Sequence, residues 1–120
     1  MQTYKHIDVD LLLEVTAGSS DLLASLVRMF ENQSPKFHNQ LQEHLDSNEF
    51  ALLAKLAHKI KGSLLTLGIV GLAARMKTLE QVADNQNTEN SAQELVSEYM
   101  RVSMEAIDEL NKIHRNLKTV

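Results

Sequence analysis

Apolar residues return along most of this chain at intervals of three and four, the spacing that gathers them on one side of an α-helix. A short first helix runs from about Asp8 to Ala17. Gly18 stops it, and Ser19, Ser20 and Asp21 are good caps for the next. In that second helix Leu22, Leu26, Phe30, Phe37, Leu41 and Leu45 keep one register across Pro35, so a kinked helix or two nearly collinear pieces fit, and the kinked helix is preferred. Asp46, Ser47 and Asn48 form a polar break. Glu49 then opens a third helix that runs to about Thr66 and stops near Gly68, with Leu53, Leu56, Ile60, Leu64 and Leu67 as its stripe.

The fourth helix carries Ile69, Leu72, Met76, Leu79 and Ala83, and ends in the polar run Asp84, Asn85, Gln86 and Asn87. Thr88 caps a fifth, from Glu89 to about Asn116, whose Leu95, Tyr99, Val102, Ala106, Leu110, Ile113 and Leu117 form a bundle seam. No alternating run and no Asn-Gly or Asp-Gly hairpin signal occurs, so no strand is expected. Four long amphipathic helices with short connections predict an all-α fold, an antiparallel four-helix bundle with a short additional N-terminal helix. Met29, Met76, Met100 and Met104 read as filler for its core.

Composition narrows the function classes. At 120 residues and 43% hydrophobic content the chain is expected to be one domain, residues 1–120, with no linker and a core that needs no metal or disulfide. It contains no cysteine, which removes disulfides and thiolate metal sites and points to the cytoplasm. Met1 to Asp10 lacks the apolar stretch of a signal peptide, and no later run approaches a membrane span, so no membrane partner is expected. A net charge of −4 argues against nucleic acid and leaves proteins as the expected partners. The initial Met1 and the lack of a linker favour a stand-alone protein.

The chemistry concentrates on the third helix, in Ala57-His58-Lys59-Ile60-Lys61-Gly62-Ser63. At about 100° per residue His58 points roughly 160° away from the apolar stripe, and so away from the core. Its neighbours on that face are Ala51, Ala54, Lys55, Lys61, Gly62 and Leu65, mostly small or cationic. Gly62 costs about 1 kcal/mol relative to Ala inside a helix. A bare patch one turn from His58 would let another protein's backbone or a bulky anionic group approach the imidazole. Lys61 can place an ammonium beside an anion on the ring, and neutral imidazole is a nucleophile at physiological pH. A lone surface histidine beside lysines is ordinarily solvated helix surface. The outward His58, Lys61 and Gly62 together argue for a site without naming its reaction.

The run His58-Lys59-Ile60-Lys61-Gly62-Ser63, continued by Leu67-Gly68, resembles the His-x-x-Lys-Gly-Ser/Ala signature of histidine-containing phosphotransfer (HPt) domains of two-component phosphorelays. The resemblance extends to the architecture, a four-helix bundle of about this length with its active histidine on the second long helix. It implies that His58 accepts a phosphoryl group from a receiver-domain aspartate and passes it to another receiver. Lys61 would help hold the phosphoryl oxygens and Gly62 would leave room for the receiver. Glu80 matches a position where the family often has Glu or Gln near the imidazole, although pairing about Leu67 and Gly68 puts Lys77 level with His58 and Glu80 one turn away. Leu65 is larger than the residue often found there. It is either a docking hydrophobe, which would make Ala51, Ala54, Leu65 and Ile69 the apolar part of a receiver-binding surface, or it tucks against the fourth helix.

The implied partners are receiver domains of response regulators or hybrid histidine kinases. The magnesium ion and acidic pocket belong to that partner, so no cofactor is expected here. The chain has no Walker loop, Gly-rich nucleotide loop or kinase signature and is expected not to be a kinase. The rival readings are a non-catalytic helical-bundle adaptor, a metal-binding bundle using His6, His38, His44, His58 and His114, and a carboxylate enzyme. The metal reading lacks any Glu-x-x-His pair, and the acidic residues are scattered over the polar faces.

Overall fold

A computed structural model describes residues 4–85 and 90–118. Among them are five helices: α1 (Val9–Thr16), α2 (Ser20–Asp46), α3 (Phe50–Thr66), α4 (Val70–Asp84) and α5 (Asn90–Lys118). The expected cap Thr88 and helix start Glu89 lie outside the described residues. The caps account for the early boundaries. The Asp8 carboxylate accepts from the Leu11 N–H at 3.2 Å, and the Ser19 hydroxyl from the Leu22 N–H at 3.1 Å. α1 closes one residue earlier than expected, on Ala17 in the left-handed region. α2 passes through Pro35 as one helix.

The four long helices form an antiparallel bundle in which α3 packs chiefly on α4 and α2 on α5. Side-chain contacts between α2 and α5 trace the antiparallel course, with Ser20 against His114 near one end and Gln42 against Gln93 near the other. Among the described residues no helix is long and apolar enough to cross a membrane.

The core follows the predicted stripes except on α2 and at two methionines, and it takes in two residues expected on the docking surface. On α2 the buried set is Leu23, Val27, Phe30, Ser34, Phe37 and Leu41, while Leu22 is 44% exposed. Ser34 continues the three-and-four spacing but is polar. Its hydroxyl donates to the Phe30 carbonyl at 2.7 Å, which satisfies it inside the helix. Met29 and Met104 are surface residues, 54% and 62% exposed, and do not fill the core as Met76 does. Ile69 is fully buried as the N-cap of α4 and is removed from the expected docking surface, because its side chain belongs to the core. Ala54 keeps only 5% of its surface, for its small side chain faces the seam with α4.

The segment before α1 packs on one end of the bundle, against the α3–α4 turn and α5. Ile7 is buried, the His6 N–H donates to Glu109 at 2.9 Å, and the Asp8 N–H donates to the Gly68 carbonyl at 2.8 Å. Gly68, in the turn between α3 and α4, has φ +73°, and a Cβ there would lie 2.7 Å from the Asp8 carbonyl oxygen. Glycine is required at this position for both reasons.

Candidate functional site

α3 buries Leu53, Ala57, Ile60 and Leu64, which turns position 58 to the outside. The His58 side chain is 65% exposed. Small residues at the seam, Ala54 on α3 and Ala73 on α4, are both buried and let the two helices approach closely. A glutamate on α4 can then reach an imidazole on α3. Glu80 does so, with its two carboxylate oxygens 3.2 and 3.1 Å from His58 Nδ1. Lys61 closes the group, its Nζ 3.6 Å from Glu80 Oε1 and 3.5 Å from His58 Nδ1.

This arrangement selects a tautomer. An ionised carboxylate only accepts hydrogen bonds, so the proton between it and Nδ1 belongs to the ring. With Nδ1–H donating to Glu80, Nε2 keeps its lone pair, and among the described residues it has no hydrogen-bond partner. The ring therefore presents an unshared nucleophilic nitrogen at the surface. Lys61 and Glu80 are each 25% exposed, so solvent screens their attraction and the pair contributes at most about 1 kcal/mol. Its larger effect is to hold the carboxylate against the imidazole.

Glu80 is expected from the sequence near the imidazole but about one turn from level, with Lys77 level; the structure brings Glu80 into direct contact with the ring. The contact between positions 58 and 80 centres the pairing near Ile69, the N-cap of α4, slightly beyond Leu67 and Gly68. Gly62 lies inside α3, and a Cβ there would meet nothing within 4 Å. The bare patch expected beside His58 is present, and no packing within the described residues requires it.

Two cavities flank the site. One, of about 470 Å³, is lined by Ala51, Leu52, Ala54, Lys55, His58, Glu80 and Asp84. The other, of about 340 Å³, is lined by Lys61, Leu65, Val70, Ala73, Ala74 and Lys77. Leu65 is 43% exposed, so it stands at the surface, and Ala51 is exposed as well. Leu52 and Val70, 46% and 42% exposed, extend the apolar surface on either side of His58. Leu52 was legible in principle, since it stands about 100° round the helix from the buried Leu53. No group of three or more metal-ligating side chains that could hold an ion occurs among the described residues.

The sequence model of the Hpt domain matches residues 25–117. The chain is 26% identical over 114 residues to the signal transduction histidine-protein kinase BarA of Shigella flexneri, a match covering 95% of this chain and 12% of that protein. The chain thus spans about an eighth of the length of this relative. No solved structure matches. With the family model spanning α2 to α5, and hence both helices that build the His58 site, the chain belongs to the Hpt domain family, the histidine phosphotransfer modules of two-component phosphorelays.

Proposed function

We propose that His58 receives a phosphoryl group on Nε2 from the aspartyl phosphate of a receiver domain and returns it to the aspartate of another. The observation that carries this reading is the contact of Glu80 with Nδ1 on a ring that is otherwise open to solvent. The Nε2 lone pair attacks phosphorus, an N–P bond forms, and the acyl phosphate O–P bond breaks to release the receiver's carboxylate. The Nδ1 proton stays shared with Glu80, which offsets the positive charge the ring acquires. Passing the group on is the same sequence in reverse, with Nε2 as leaving group.

Lys61 holds Glu80 and adds positive charge beside the ring. Gly62 leaves space for the receiver's loops, and Ala51, Leu52, Leu65 and Val70 give that partner apolar contacts around the histidine. In-line phosphoryl transfer of this kind depends on positioning and charge neutralisation, and the receiver would supply the magnesium ion. Receivers of response regulators or hybrid kinases are the partners, the chain carries no kinase activity of its own, and the relay operates in the cytoplasm.

The test is incubation with an aspartyl-phosphorylated receiver, followed by assay for acid-labile, alkali-stable label on the native chain and on His58→Gln. Label on the native chain alone is expected. Equal label on both moves the phosphoryl group to another residue, and none on either leaves a helical adaptor.

A further inference from the structure

Phosphotransfer as described leaves Lys55 and Asp84 of the His58 cavity, and Lys77 of the neighbouring one, without a task, and of the two cations only Lys55 shares the cavity of His58 and Glu80. Lys55 precedes His58 by three residues on α3 and lines the same cavity as His58 and Glu80. Side chains three apart on a helix have Cβ atoms about 5–6 Å apart. A lysine carries its ammonium on a flexible four-carbon stem, so Lys55 Nζ can reach a group bonded to the His58 ring. The other lysines of this segment are engaged. Lys61 is held by Glu80 at 3.6 Å, and Lys59 lies over the Phe37 ring, 5.8 Å from its centroid. Lys55 is exposed and forms no ion pair among the described residues.

The two edges of the imidazole carry different surroundings. Glu80 and Lys61 both lie at Nδ1. A phosphoryl group on Nε2 forms on the other edge of the ring, away from the Lys61 ammonium. We propose that Lys55 is the cation that binds this phosphoryl group, while Lys61 acts mainly by holding Glu80. The inference rests on Nε2 of His58 being the acceptor. Asp84 of α4 faces the same cavity as Lys55 and competes for its ammonium with a single charge. A phosphoryl group brings about −1.5 to −2 and three acceptor oxygens, so the ammonium moves to it once the histidine is loaded.

The experiment uses the isolated full chain, which separates phosphoryl binding from receiver docking. Phosphoramidate serves as donor, ammonia leaving as Nε2 takes the phosphoryl group. The ³¹P resonance of the phosphohistidine is then followed across the neutral pH range. The charged groups around it are Lys55, Lys59 and Lys61 on α3 and Lys77, Glu80 and Asp84 on α4. A cation in contact favours the dianion, so Lys55→Gln should raise the midpoint by roughly 0.2–0.7 pH unit, the size expected of an exposed charge pair. Lys55→Arg should restore it, and Lys59→Gln, whose lysine stacks on Phe37, should leave it in place.

An unchanged midpoint in Lys55→Gln, or a larger shift in Lys61→Gln, overturns the assignment to Lys55 and leaves His58 as the phosphorylation site. Absence of any resonance that His58→Gln removes overturns the assignment of His58, and this inference with it.

Discussion

Gly62→Ala separates what the fold needs from what the site needs. Position 62 is inside α3, takes an ordinary negative φ, and has open space where a Cβ would stand. Alanine there loses less conformational entropy on folding and costs no contact, so the variant should be more stable by about 1 kcal/mol. For 120 residues this corresponds to a rise in Tm of about 4 °C. The same methyl group would stand on the surface that a receiver must approach. Overpacking a close interface costs about 1–3 kcal/mol, so transfer from a phosphorylated receiver should slow by roughly 5- to 150-fold.

Thermal unfolding by circular dichroism reads the first effect, and rapid-quench transfer kinetics the second. Phosphorylation by phosphoramidate, which needs no docking, should be unaffected. Gly68→Ala is the contrast, since a Cβ there would meet the Asp8 carbonyl oxygen at 2.7 Å in a left-handed conformation that itself costs about 1–2 kcal/mol. It should lower Tm. A Gly62→Ala variant that melts below the native chain, or that accepts phosphoryl groups from the receiver at the native rate, would refute the separation.

Three further outcomes are expected. Glu80→Ala should slow receiver-dependent phosphorylation about 10- to 100-fold and free the ring to take either tautomer, so that two-dimensional NMR of the loaded protein shows phosphoryl on both nitrogens; label confined to Nε2 would show that Glu80 does not choose the tautomer. Tyr99→Phe should be neutral or stabilising by about 1–3 kcal/mol in urea titrations, because among the described residues the buried Tyr99 hydroxyl finds no partner in hydrogen-bonding geometry even with Ser34 and Ser103 nearby; a clear loss would mean that the hydroxyl is hydrogen-bonded after all. The hydrogen bond from His6 holds the Glu105 carboxyl below its ordinary value of 4.5, with Lys5 and Arg101 adding to the effect. That contribution is present above about pH 4.5 and lost as the pH falls through the depressed value, so Glu105→Gln should flatten the acid limb of the stability profile, and an unchanged limb would count against it.

The helical architecture was legible because every long helix keeps its apolar residues in register. The errors have identifiable physical sources. On α2 a second apolar line one residue away, through Leu22 and Leu26, competed with the true one through Leu23 and Val27. The true line was hidden where it passes through Ser34, whose polarity is cancelled by its bond to Phe30. His58, Lys61 and Gly62 were visible because they share one helix, where spacing alone fixes their relative directions. Glu80 is on another helix and was named near the imidazole through the family resemblance, not through spacing. Its contact with His58 depends on where the pairing of α3 and α4 is centred, and a shift of that centre by a residue and a half is enough to exchange Glu80 for Lys77. Periodicity carries no information on that centre.

The information lies in the turn and in what is packed on it. The Gly68 carbonyl accepts from the Asp8 N–H, the Asp8 carbonyl oxygen occupies the space a Cβ at Gly68 would need, and Ile7 beside them is buried. The segment preceding α1 is therefore packed on the turn that joins the two helices of the site. Ile69 follows Gly68 at that turn. It cannot serve a docking partner because, at the N-cap of α4, its side chain is fully buried in the core. Residues 6–8 contribute no group to the site, yet Asp8 is bonded to the turn from which α3 and α4 carry His58, Lys61 and Glu80. Loosening them, by His6→Ala with Ile7→Ala for example, should weaken the protection of the His58 Nδ1 proton against solvent exchange before it unfolds the bundle.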